Sequence, residues 1–144
     1  MLRIHSPTYQ IPDIVKLAVE QAERVATLRR ELPLRCKRIG NLFYTEAKGG
    51  SSGTIANLIV EVCDAKVGVG YSTDEQKQIT DVSMRCAATS RIDLGKQASK
   101  LAKRFGGFGA GHKNASGARI PTSKFMEFMW ALGKKTDEHG TQTN

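Results

Sequence analysis

The chain is 144 residues long, 40% hydrophobic and 25% charged, with a net charge of +8 and a sequence pI near 9.6. That length suits one domain around one core, and no apolar run approaches the roughly 20 residues of a membrane span, which argues against a membrane role. The opening MLRIHSPTYQIPDI has no secretory-type apolar run, so a cytoplasmic protein is expected. Cys36, Cys63 and Cys86 are odd in number and form no CxxC pair, and His5, His112 and His139 are equally scattered. Neither a disulfide framework nor a structural zinc site is expected from that spacing.

In chain order, residues 12–32 place Ile14, Leu17, Ala18, Ala22, Val25, Leu28 and Leu32 near a 3.6-residue period. With Pro12 at the first turn and Pro33 after the last, the pattern predicts an amphipathic helix whose apolar stripe needs a partner, from its own domain or another chain. RIGNLFYTEA predicts a strand and KGGSSG a turn whose serines can cap the next element. Residues 53–63 group Ile55, Leu58, Ile59 and Val62 on a helical face, although their β-branched content also permits a strand. AKVGVGYS and ITDVSMRCA alternate around the polar TDEQKQ, predicting a hairpin in which Ile79, Asp81, Ser83 and Arg85 share one face. Asp93 is placed to cap a helix with Leu94, Ala98, Leu101, Ala102 and Phe105 on its buried side. A glycine-rich loop, FGGFGAGHKNASG over residues 105–117, and a short strand ARI follow. KFMEFMWAL then predicts a last helix, in which Met126, Phe128 and Trp130 read as core or interface residues, ahead of a polar tail. The expected fold is mixed α/β (α+β), a small mixed sheet covered by helices. Its expected parts are a helical segment over residues 1–34, a binding domain over 35–133 and the tail over 134–144.

The charge is local. Residues 91–125 hold Arg91, Lys96, Lys100, Lys103, Arg104, Lys113, Arg119 and Lys124 against the single acid Asp93, so +7 of the net +8 falls there. Such a concentration attracts polyanions, whereas a merely solvated face is the alternative.

Ser83, Arg85, the helix from Leu94, and then Phe105, Gly106, Gly107, Gly111, His112, Asn114, Ala115 and Gly117 together resemble the DHH-associated C-terminal domain of the DHH phosphoesterase family. That family includes RecJ-like nucleases and nanoRNA-degrading phosphodiesterases. The resemblance covers roughly two thirds of the chain, from about Arg38, and fades over the first 35 residues. Two departures stand out. GGFGAG is two residues longer than the four-glycine run usual in the family, and the Asp-His-His motif of the catalytic domain is absent from the sequence. The resemblance therefore implies a substrate-binding half with no catalytic residues and no metal of its own. Manganese or magnesium would enter only with a separate DHH domain.

The residues support the same chemistry directly. Glycines let backbone N–H groups converge on an anion, His112 can donate to a phosphate oxygen, and Arg85 can clamp one bidentately. Lys113 and Arg91 add attraction, and Lys96, Lys100, Lys103 and Arg104 extend the basic patch. Asn114 can fix the loop by bonding neighbouring backbone. The alternatives are a tight connection for the glycines, a salt bridge from Arg85 to Glu46 or Asp81, and a simple turn cap for Asn114. The partners expected are single-stranded nucleic acid or a nucleotide, and a DHH-domain protein or a second copy of the chain through the N-terminal helix. Oligomerisation alone is the remaining reading.

Overall fold

The computed structural model describes residues 11–141; His5 lies outside them, as do the ends of the expected terminal segments. The elements run α1 (Ile11–Arg35), β1 (Lys37–Ile39), β2 (Leu42–Glu46), α2 (Ser52–Val62), β3 (Val67–Asp74), β4 (Ile79–Cys86), α3 (Leu94–Arg104), β5 (Phe108–Gly111), β6 (Ala115–Pro121), a 3-10 turn (Thr122–Lys124) and α4 (Phe125–Thr141). Six strands form one sheet in the order β1-β2-β3-β4-β6-β5. Only β2 and β3 run parallel, joined by the α2 crossover, and the other pairs are antiparallel. The mixed α/β architecture is the one the sequence predicts.

Each face of the sheet buries its own cluster. Val67, Val69, Val82, Met84 and Ile120 point to α3 and α4, where they meet Ala98, Leu101, Phe128, Met129 and Leu132. On the opposite side Leu28 and Leu32 of α1 close over Ile55, Leu58 and Ile59 of α2. Burying each large aliphatic side chain stabilises the fold by roughly 1.5–3 kcal/mol. Asp93 caps α3 by accepting from Lys96 N at 3.1 Å, and Ser51 caps α2 by accepting from Thr54 N at 3.2 Å.

Four local expectations change. Pro33 sits inside the last turn of α1 rather than after it, a position where the missing N–H costs a single bond at an exposed end. RIGNLFYTEA is two strands rather than one, folded at Gly40 (φ 59) so that Ile39 pairs with Leu42. The glycine-rich stretch is not a loop throughout, because Phe108–Gly111 forms edge strand β5 against β6, which itself extends beyond ARI. The expected polar tail after Gly133 is helical as far as Thr141. Gly133 lies within α4, and its lack of a side chain makes room for Ile39, which would stand 2.5 Å from a Cβ there. Beyond it, Asp137 accepts from Asn41 N at 3.0 Å and Asn41 Nδ2 at 3.1 Å, tying α4 to the β1–β2 turn. Phe128 is fully buried, whereas Met126 and Trp130 point outward.

Candidate phosphate and nucleic-acid interface

The covered and bare parts of the sheet are set by which helices lie on it. α3 packs Leu94, Ala98, Leu101 and Ala102 over β5 and β6 on one face. α2 covers β3 and β4 on the other, and it stops there. The α2 side of β6 and β5 is therefore open, and cross-strand partners place matching residues on it. Asp81 lies opposite Arg119, which lies opposite Phe108; Ser83 lies opposite Gly117, which lies opposite Ala110; Arg85 lies opposite Ala115. Asp81, Phe108, Ala110, Gly117 and Arg119 line a shallow concavity of about 430 Å³.

Arg85 ends this face on the α2 side. Its Nη1 donates to the carbonyls of Met84 at 2.9 Å and Ser116 at 3.4 Å, which fix the guanidinium without neutralising it. Its Nη2 lies 2.8 Å from where a Cβ on Gly53 would stand, so the cation rests against the first turn of α2. Ser52 Oγ and Ser83 Oγ are 3.0 Å apart beside it. Among the described residues no carboxylate pairs with Arg85; Asp81 accepts instead from Arg119 Nε at 2.8 Å. The ion pair with Asp81 raises the pKa of Arg119 still further, chiefly through that hydrogen bond. A half-buried guanidinium beside a helix N-terminus, where N–H groups also point outward, is suited to an anion.

His112 and Lys113 occupy the β5–β6 turn, both exposed, at the end of the sheet where Arg85 pairs with Ala115. The turn closes with His112 N donating to Ala115 O at 2.8 Å. Lys113 O accepts from Leu94 N at 2.8 Å, so the turn is anchored to the start of α3. Asn114 Nδ2 donates to Ala87 O at 3.0 Å and to Cys86 Sγ at 3.4 Å, securing it to the end of β4. Gly111 has φ +147, which strongly favours glycine, and a Cβ there would lie 2.5 Å from Ser116 Cα. Gly106 (φ +83) turns the chain out of α3, and a side chain at Gly107 would overlap Arg119 O. These glycines thus serve the backbone path, and none of them faces the concavity.

The basic residues divide. Arg91 and Lys96 flank the Asp93 cap of α3, at the same end as His112 and Lys113. Lys100, Lys103 and Arg104 lie further along the outer side of α3, across the sheet from Arg85. Arg104 stacks over the Phe105 ring at 5.1 Å and lines a separate 800 Å³ cleft with Trp130 and Lys134. The patch that is continuous in sequence is therefore spread over two surfaces. Phe108, Arg119 and the α2 N-terminus were not among the predicted site residues. The alternation of Asp81, Ser83 and Arg85 was the one signal pointing to their shared face. Among the described residues no group of three or more His, Cys, Asp or Glu stands together to hold a metal, and no helix is long and apolar enough to cross a membrane.

A strand–helix–strand frame carrying a carbonyl-held arginine, a histidine turn and glycine-packed helices defines a class, and the comparisons identify it. The DHHA1 domain matches residues 38–136, and the chain belongs to that family. An uncharacterized protein of Methanocaldococcus jannaschii is 34% identical over 110 residues, which is 73% of this chain and 23% of that protein. The pGpG-specific phosphodiesterase PggH from Vibrio cholerae superposes with a TM-score of 0.67 at 17% identity, over 91% of this chain and 45% of that one. The C-Ala domain of Aquifex aeolicus alanyl-tRNA synthetase superposes at 0.56 and 13% identity, over 71% of this chain and 97% of that domain. The chain thus spans about a quarter of its curated relative and under half of PggH. Likenesses at 13–17% identity establish the shared fold.

Proposed function

We propose that this domain binds the phosphates of a short single-stranded oligonucleotide or nucleotide at the end of the sheet where Arg85, the α2 N-terminus and the His112–Lys113 turn converge. The observation that carries this reading is Arg85, fixed by two carbonyls and paired with no carboxylate among the described residues. In this reading Arg85 clamps phosphate oxygens, His112 donates one hydrogen bond, and Lys113, Arg91 and Lys96 supply longer-range attraction. The domain acts in the cytoplasm as a binding module without catalysis of its own. A DHH catalytic domain, the partner suggested by the family, would hold manganese or magnesium and cleave the phosphodiester. A second reading concerns α1, whose apolar stripe begins with Ile14 and Leu17, both about half exposed. That apolar stripe is offered to the DHH domain, with a second copy of this chain as the alternative occupant.

Oligonucleotide affinity, its salt dependence and thermal melting, measured together, test the main reading. Affinity should fall steeply with salt, as phosphate contacts release counterions. His112→Ala should cost about 1.5–3 kcal/mol of binding, the range for a hydrogen bond to a charged group. Arg85→Lys should weaken binding despite keeping its charge, since an ammonium lacks the planar fork. Wild-type affinity in both variants would overturn the proposal.

A further inference from the structure

We propose that the open face of β4, β6 and β5 holds a nucleobase, stacked on Phe108 and read at its edge by the Arg119–Asp81 pair, as a specificity subsite beside the phosphate-binding end; this inference rests on the phosphate reading above. Phe108 is 72% exposed on an edge strand, where an aromatic gains little from packing. It lines the same concavity as Arg119 and Asp81, with which it shares one cross-strand row.

The floor between this row and Arg85 is built from the smallest side chains available. Gly117 and Ala110 leave the backbone bare, and a Cβ on Gly117 would meet no heavy atom closer than Val82 O at 3.4 Å. Glycine there is not demanded by crowding, which distinguishes it from Gly109, whose Cβ would overlap Ala98 O. A flat, open floor beside an aromatic ring suits a planar ligand, and base–aromatic stacking is tolerant of sequence because every base has a π-face.

Arg119 and Asp81 add edge chemistry. The Arg119 guanidinium is held by two bonds, Nε to Oδ1 at 2.8 Å and Nη2 to Oδ2 at 3.4 Å, with both side chains at least half exposed. It offers remaining N–H donors and a flat cationic surface, and the carboxylate offers acceptor positions for an amino group on a base. Asp81 and Arg85 stand four positions apart along β4, roughly 14 Å at about 3.4 Å per residue, a span a dinucleotide covers. The occupant is thus a base belonging to the strand whose phosphate reaches Arg85. The charge that favours it at this end is that of Arg85, which pairs with no carboxylate among the described residues, and of the exposed Lys113 on the adjoining turn.

The test uses a 5′-phosphorylated dinucleotide and the same compound with the base removed from one sugar at a time, titrated into wild type, Phe108→Leu and Arg85→Gln. Melting is recorded in parallel and should be unchanged by Phe108→Leu, because the ring is exposed. Phe108→Leu is expected to weaken the intact dinucleotide roughly tenfold or more, within the range for loss of one stacked base. It should leave unchanged the affinity of the compound lacking the stacked base. An intact dinucleotide indifferent to Phe108→Leu but lost on Arg85→Gln would overturn the base subsite and leave phosphate binding standing. Equal losses for the intact and both base-deleted compounds would also overturn it, showing that Phe108 shapes the face or seats a protein partner. Failure of wild type to bind the dinucleotide at all would overturn both proposals.

Discussion

α2 on β3 and α3 on β5 are built alike and surrounded differently. In the first, side chains at Gly68 and Gly70 would run into the carbonyl oxygens of Ala56 and Ser52; in the second, a side chain at Gly109 would run into that of Ala98. Both helices therefore lie with their backbones almost on the strand, a closeness that only glycine permits. β3, however, is central and covered on both faces, while β5 is an edge strand with its second face open. Within a few residues of chain, Gly109 makes room for a helix, whereas Gly117 faces the open concavity. Glycine content alone does not distinguish packing from binding; the direction in which the missing side chain would point does.

The sharpest way to test that distinction is Gly109→Ala. The added methyl must displace α3 or distort β5, and overpacking of this kind costs about 1–3 kcal/mol. Thermal melting should fall by several degrees, on the order of 3–10 °C for a domain of this size. A variant that melts with wild type would mean that α3 rides higher on the strand than described.

Gly117→Ala should behave in the opposite manner. Its Cβ would make only an ordinary contact, with Val82 O at 3.4 Å, so stability should change by no more than about 0.5 kcal/mol. Oligonucleotide affinity should nevertheless fall several-fold, because the methyl raises the floor beneath the ligand. Equal affinity for both proteins would remove Gly117 from the interface.

The smallest effect examines how well the α2 side is sealed. Cys36 follows α1 and Cys63 ends α2, both half-buried against the cluster the two helices close. Burial, reinforced by Cys63, pushes the Cys36 thiol from its ordinary 9.0 up to about 12. The folded state thus retains a proton that the unfolded chain releases. The associated stability is complete below pH 9.0 and is lost as pH rises toward about 12. Melting followed across that window should decline less steeply in Cys36→Ala than in wild type. Parallel declines would show that the seam admits water.

Periodicity made most of the fold legible. Apolar spacing marked all four helices, and alternation marked the β3–β4 hairpin with Asp81, Ser83 and Arg85 on one side. What escaped was set by tertiary contact. Gly133 reads as a helix stop, yet Ile39 and the bonds from Asn41 to Asp137 carry α4 past it. FGAG reads as a loop because Gly109 answers to α3 and Gly111 to β6, which the local sequence does not reveal. Arg85 and His112 were visible as chemistry, but the open row of Phe108, Arg119 and Asp81 needed the register of β5 on β6 before it existed as a surface.

The order of the strands has one more consequence. The rims of the sheet are its two shortest strands, three residues of β1 and four of β5. Unpaired backbone at a rim is where a foreign strand would add, and so brief a template gives it few hydrogen bonds to make. Copies of this domain that meet in solution will find little to share along their sheet edges. Contacts between copies would have to be made by side chains rather than by shared backbone.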